Sequence, residues 1–108
     1  MDFNEYQQAA AATAIYPTTM AVVYPTLGLA GETGEVAEKV KKTFRDHDGN
    51  FDDGRREAVA AELGDVLWYL AMTARDLGYT LDEVARMNLA KLASRQQRRR
   101  LHGDGDNR

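Results

Sequence analysis

The sequence predicts an all-α fold, a four-helix antiparallel bundle. Three observations lead there. Four segments carry helical caps or helical periodicity, and the links between them are short. No stretch reads as a strand except one candidate around Met20 to Tyr24.

The first helix starts behind Asp2, whose carboxylate can accept from the free amides of the first turn, with Glu5 three residues on as a capping-box partner. It runs through the alanine-rich stretch to about Ala14. Residues 15–24 carry Pro17 and lead into Pro25, and each proline disfavours the helical region for the residue before it, so this connector is irregular or extended. The second helix begins near Pro25 or Thr26, where the missing N–H costs nothing, and ends near Arg45. An acidic link from Asp46 to Asp53 contains Gly49. Asp52 or Asp53 caps the third helix, which runs to about Leu77 and stops at Gly78. Thr80 and Glu83 form a second capping box. The fourth helix then repeats Leu81, Val84, Ala85, Asn88, Leu89 and Leu92 at three- and four-residue spacing. From about residue 98 the chain reads as a tail, either flexible or in contact with a ligand: Arg98-Arg99-Arg100, then GDGDNR.

The 108 residues fit one domain over 1–108. Apolar residues make up 44% and charged residues 29%, a globular balance, and the net charge of −3 is wrong for an electrostatic nucleic-acid clamp. With no cysteine, disulfides and cysteine-bound zinc are excluded. No apolar run reaches the roughly 20 residues that span a bilayer, and no secretory pattern opens the sequence, so a cytoplasmic protein without membrane association is expected. A chain this short buries only a modest core by itself, and the apolar third helix argues for burial against a partner subunit.

The chemistry lies in carboxylates. Glu32 and Glu35 are three apart on the second helix, and Glu62 and Asp65 are three apart on the third. Residues three apart share a side of a helix, so each helix presents a two-carboxylate fork, and a short connector lets the forks face each other. From Ala58 to Leu70 the third helix is apolar nearly all round, which places Glu62 between Val66 and Tyr69 and Asp65 beside Met72. Paired acids in such a setting suffer desolvation and mutual repulsion, and a divalent cation removes both penalties. Magnesium suits all-oxygen ligands and keeps waters that can become nucleophiles. The plainer alternative is surface pairing at four-residue spacing, Glu35 with Lys39 and Glu38 with Lys42, which is the favoured reading for Glu38. Gly28, Gly31, Gly34 and Gly64 fall inside helices at about 1 kcal/mol each relative to alanine, a cost that close helix approach would offset.

Other patterns carry less. Asp46, Asp48, Asn50, Asp52 and Glu57 match calcium-loop spacing, but Phe51 stands where that loop needs glycine, so an acidic capped link is expected. His47 and His102 lie in a link and a tail, too few for a histidine–aspartate phosphohydrolase. The arginine run lacks interleaved aromatics, and no nucleic-acid partner is expected.

Taken together, GLAGETGEVAEKVKK, ELGDVLWYLA, NLAKLASR and the closing GDGDNR resemble the MazG-like all-α nucleoside triphosphate pyrophosphohydrolases, over most of the chain. That family carries an E-x-x-E pair followed by an E-x-x-D pair, here Glu32/Glu35 and Glu62/Asp65. The resemblance implies a dimer or a dimer of dimers. It implies Mg²⁺, with Mn²⁺ as a substitute, held by the four acids, which also carry the catalysis. It implies hydrolysis of an NTP or dNTP to the monophosphate and pyrophosphate, as nucleotide-pool clearing. One glutamate would activate the water. Asn88, Lys91 and Arg95, which share one side of the last helix, would bind phosphate or sugar. Tyr69 matches an aromatic position near the base, and Trp68 reads as core packing. Tyr6, Gln7 and Thr13 fit either a nucleoside pocket or a structural role. The competing function is a non-enzymatic helical interaction module whose acids only solubilise.

Overall fold

Caps set the helix boundaries. The structure, a computed structural model, describes residues 1–99 and 102–107; Arg100 of the arginine run, Leu101 and Arg108 lie outside the described residues. Four α-helices follow one another: α1 (Phe3–Ala11), α2 (Val23–His47), α3 (Asp53–Asp76) and α4 (Leu81–Gln97). The Asp2 carboxylate accepts from the Glu5 amide at 2.8 Å, and Asp52 accepts from Arg55 at 3.0 Å. The Thr80–Glu83 capping box is closed in both directions. Gly78, at φ 86°, ends α3 in the left-handed conformation that glycine adopts without strain. The acidic link is a tight turn, with Asp48 at φ 54° and Gly49 at φ 75° and the Phe44 and Phe51 rings packed edge to face at 6.0 Å across it.

Two expectations need correction. α1 closes at Ala11 rather than Ala14, because the Thr13 hydroxyl takes the Ala10 carbonyl at 2.8 Å and the chain leaves in a tight turn. The candidate strand is not formed: residues Thr18–Met20 make one 3-10 turn, α2 already starts at Val23, and the described residues contain no strand. Val22 lies between them at φ 68°, ψ −50°, with the Val23 amide bonded back to the Ala21 carbonyl at 2.8 Å. This is a γ-turn in its strained form, unusual for a β-branched residue.

α2 and α3 run antiparallel as one long hairpin. Gly28 lies against Tyr69, and Lys39 reaches Glu62, so residue numbers fall on one helix as they rise on the other. α1 and α4 then cover only the C-terminal part of α3. The buried Gln7 side chain joins all three: its amide donates to the carbonyls of Ala71 (3.0 Å) and Tyr79 (3.2 Å), and its oxygen accepts from the Leu81 amide at 3.0 Å. Ala10, Ala71, Met72 and Leu81 form the buried core around it, flanked by Tyr6, Leu67 and Trp68. The fold is therefore a hairpin with α1 and α4 packed at one end, more open than a closed bundle. Its radius of gyration is 16.6 Å, against about 13 Å for a compact chain of this length.

The C-terminal end of α3 also anchors the connector. Asp76, with a side chain only 6% exposed, accepts from the Tyr16 hydroxyl at 2.7 Å and the Val22 amide at 3.0 Å, and from Arg75 at 3.1 Å. Burial pulls its carboxyl up, but the bonds from Tyr16, Val22 and Arg75 together outweigh that and hold it below the ordinary carboxylate range. A lowered folded-state value means stability that is present at neutral pH and lost as acid protonates the group, below about pH 4. Asp76→Ala should cost about 1–2 kcal/mol in urea unfolding, since it leaves two part-buried donors, the Tyr16 hydroxyl and the Val22 amide, without their acceptor and releases the Val22 turn. Its stability should also fall less than the wild type's on going from neutral pH to pH 3; a loss under 0.5 kcal/mol, about the scatter of a neutral surface change, would remove Asp76 as the anchor.

Candidate metal centre

The hairpin register brings acids of two helices together. Glu32 of α2 and Glu62 and Asp65 of α3 each place a carboxylate oxygen within 4.8 Å of the others, a group of three that could hold a metal ion. Glu35 is not in that group; it is exposed on α2, one turn further on. The degree of burial differs from expectation. Glu62 and Glu32 are half-buried, but Asp65 is exposed, and so is Leu63 beside it at 52%. The outer flank of α3 faces open space at these residues because α1 and α4 stop short of it.

The electrostatics are those of crowded like charges. Partial burial, then the charge of Asp65 and a shared hydrogen bond with Glu62, push the Glu32 carboxyl above its usual range. Lys39 answers the group: its Nζ lies 3.6 Å from Glu62 Oε1, across the hairpin rather than back along α2 towards Glu35. Glu38 pairs with Lys42 at 3.9 Å, as its spacing predicts, and more closely with Lys41 at 2.7 Å. The donor set is all oxygen, rich in negative charge and open to solvent, which fits a hard divalent cation.

Beside the acids lies a cleft of about 350 Å³ lined by Thr13, Glu32, Asp65, Trp68 and Tyr69. Trp68 stands edge-on to Tyr69 at 5.0 Å, and its indole N–H is held by the Thr13 hydroxyl at 2.9 Å. Tyr69 fills the space over Gly28, where a Cβ would overlap its ring; the other three helical glycines noted above would meet nothing. Close approach thus accounts for Gly28 alone within the chain. Tyr24 extends the aromatic row, 6.3 Å from Tyr69 and stacked on Tyr16 at 4.8 Å. Burial, followed by a bond with Tyr24, raises the Tyr69 hydroxyl. Sequence reasoning placed Tyr69 here but missed Tyr24 and Tyr16. Their only signal was aromatic content in a connector, and the ring contacts depend on the fold of that connector. Of the N-terminal candidates, Gln7 is structural, Thr13 orients Trp68, and Tyr6 is raised by burial and by the nearby Asp65 charge.

The candidates on α4 stand apart from the acids in this chain. Asn88, exposed, and Lys91 line a different cleft with Tyr79, Val84 and Met87. Arg95 is 4% exposed, and the tail folds back over it. One Arg95 guanidinium nitrogen donates to the Asp106 carbonyl at 2.6 Å and to its carboxylate at 3.3 Å, and Lys91 donates to that carboxylate at 3.1 Å. These bonds, Lys91's first, hold the Asp106 carboxyl below its usual range. A carboxylate of the chain itself occupies the cations expected to meet phosphate.

Residues 25–100 match the family model described as the MazG nucleotide pyrophosphohydrolase domain. The chain is 46% identical over 114 aligned residues to "Gene 37 protein" of Mycobacterium phage L5, and the match covers the whole of both chains. No solved structure gives a significant match.

Gly28→Ala should lower thermal stability despite the better helix propensity of alanine, because the Tyr69 ring must move. In the double variant with Tyr69→Ala the cost of the glycine change should vanish, a coupling read from a thermal-melt cycle. Additive effects in that cycle would place the ring elsewhere.

Proposed function

The chain belongs to the MazG nucleotide pyrophosphohydrolase family, and from that premise we propose that it hydrolyses a nucleoside triphosphate, NTP or dNTP, to the monophosphate and pyrophosphate at the Glu32–Glu62–Asp65 cluster, in nucleotide-pool clearing. The observation that carries this reading is the convergence of three carboxylates from two antiparallel helices within 4.8 Å, beside an aromatic cleft.

Glu32, Glu62 and Asp65 would hold Mg²⁺, or Mn²⁺ in its place, with Glu35 as the fourth carboxylate. The ion would supply positive charge for the phosphate oxygens and lower the pKa of a bound water. The chain's own residues do the rest. A glutamate of the cluster accepts the proton of the attacking water. The water oxygen adds to the α-phosphorus, and the bond from that phosphorus to its β-bridging oxygen breaks, its electron pair leaving on pyrophosphate. Tyr69 and Trp68 offer flat apolar faces for the base, where stacking is tolerant of base identity. Asn88, Lys91 and Arg95 are assigned to phosphate or sugar, a contact in which phosphate exchanges with the Asp106 carboxylate.

The protein acts as a homodimer or a dimer of dimers in this reading. Among the described residues the buried apolar side chains are small or few (Ala10, Pro25, Ala71, Met72, Ala74, Leu81), whereas Leu27, Leu63, Met87 and Leu89 are each more than half exposed. This exposure supports a partner subunit as the cover for these side chains. No helix among the described residues is long and apolar enough to cross a membrane.

A panel of NTPs and dNTPs with Mg²⁺ should yield monophosphate and pyrophosphate. Glu62→Gln should reduce turnover by at least 100-fold, about 2.7 kcal/mol or more in the barrier, with helical content unchanged. Millimolar Mg²⁺ should raise the melting temperature of the wild type and not of Glu62→Gln. Diphosphate with orthophosphate as products, or a melting curve indifferent to Mg²⁺ together with no turnover, would return the protein to the class of helical interaction modules.

A further inference from the structure

The α2–α3 hairpin holds a second polar feature nearer its closed end. Lys39, Lys42, Asp46 and His47 of α2 and Arg55 of α3, over a floor at Thr43, line a cleft of about 270 Å³. That is below the ~300–1,000 Å³ typical of whole small-molecule sites and fits part of a ligand.

Among its lining residues Lys39, Lys42 and Arg55 stand against one acid, Asp46. Both Asp46 oxygens accept from Arg45 at 2.8 Å, outside the cleft lining, so this acid is already answered. Lys42 lies 3.9 Å from Glu38, which is bonded more closely to Lys41, and also lies near the Asp46 charge. Arg55 pairs through one nitrogen with Asp52 at 3.0 Å, but its Nε is buried with no partner. An orphaned, charged donor of this kind is costly unless something else completes it. Basic side chains in the last turn of α2, Arg45 and His47, have a plain explanation in the helix dipole. Arg55 has the opposite placement, in the first turn of α3, where the dipole disfavours a cation.

The cleft also connects with the acid cluster. Lys39 is seven residues from Glu32 and Arg55 seven from Glu62, about 10 Å along each axis, and the Lys39 side chain spans that interval to lie 3.6 Å from Glu62. A short polyanion with one end at the acids would lay its other end among Lys39, Lys42 and Arg55. Lys91 of α4 lines a different cleft, and Lys91 and Arg95, whose Nε is likewise buried with no partner, meet phosphate only once Asp106 is displaced, which the hairpin cleft does not require.

We propose that this cleft is a polyphosphate subsite: it receives the β- and γ-phosphates of the triphosphate, and hence the pyrophosphate product, with Arg55 Nε as a dedicated donor. The assignment rests on the pyrophosphohydrolase reading for the identity of the polyanion, but not for the existence of the site. The test is calorimetric titration of the full chain, in Mg²⁺, with pyrophosphate and separately with a nucleoside monophosphate. Arg55→Gln and Lys42→Gln are compared with the wild type, and a melting curve for each variant confirms folding. Each change should weaken pyrophosphate about tenfold, the loss of one charge-assisted contact, and leave the monophosphate within about twofold. KM for the triphosphate should rise by the same factor as pyrophosphate affinity falls. Unchanged pyrophosphate affinity in both variants overturns the subsite, as does equal weakening of both ligands. If no nucleotide is hydrolysed but Arg55→Gln still loses pyrophosphate selectively, the subsite stands and the enzymatic reading falls. If hydrolysis proceeds while both variants bind pyrophosphate normally, the reverse holds.

Discussion

The antiparallel register of α2 and α3 is the constraint from which the rest of the structure follows. One pairing sets Gly28 under Tyr69 and Glu32 against Glu62 and Asp65, and carries Lys39 across to Glu62. Three carboxylates within 4.8 Å repel one another, so the register is held against local electrostatics. What holds it lies at the two ends of the hairpin. At the closed end the Phe44–Phe51 contact and the Asp52 cap fix the turn. At the open end the Tyr69 ring is seated where only glycine leaves room, and Gln7 and Asp76 tie α1, the connector and α4 to the last turns of α3. Repulsion in the middle is confined by packing at both ends, so the acids are held close together, an arrangement that a divalent cation would relieve.

Along this hairpin the polar chemistry is sorted by position. The Tyr16, Tyr24, Trp68 and Tyr69 rings gather toward the open end, the Glu32, Glu62 and Asp65 carboxylates occupy the middle, and Lys39, Lys42 and Arg55 stand toward the turn, beside the acids of the link. Such an order matches the order of parts in a nucleotide: a flat base, a reacting phosphate and an anionic leaving group. The match is one of chemistry rather than of shape, because each region is shallow and open to solvent. A second chain over the exposed Leu27 and Leu63 would lower the local dielectric and strengthen every charge contact described above.

The legible parts of this fold were those that neighbours in sequence decide. The caps at Asp2, Asp52 and Thr80 and the stop at Gly78 are read within four residues, and all four hold. Four helices and their order followed from them. The carboxylate pairs were also visible, since three-residue spacing sets a shared side whatever lies opposite. Less legible was everything decided by how two helices are rotated against each other. Lys39 could be placed by spacing only beside Glu35, and its choice of Glu62 depends on the hairpin register. An apolar run on α3 read as burial on all sides, yet Asp65 and Leu63 are exposed, because periodicity records apolarity and not whether the covering surface belongs to the same chain. The Val22 γ-turn was hidden for another reason: β-branched residues argue for extended backbone, and only the Asp76 carboxylate, far along the chain, makes the turn worth its strain. That the tail folds back was one of the expected readings, but its partners, Lys91 and Arg95, were not, because a contact between tail and helix leaves no periodic trace.

Gln7 has a consequence in time rather than in space. Its three bonds reach residues 64, 72 and 74 positions later in the chain. A ribosome adding about 5–20 residues per second needs about 4–15 s to make that interval. During those seconds α1 waits for its partners, first the end of α3 from Leu67 to Met72 and then Leu81, while the α2–α3 hairpin, whose contacts are nearer in sequence, can already close. α1 is therefore fastened in two stages, against α3 and then, through the Leu81 amide, against α4.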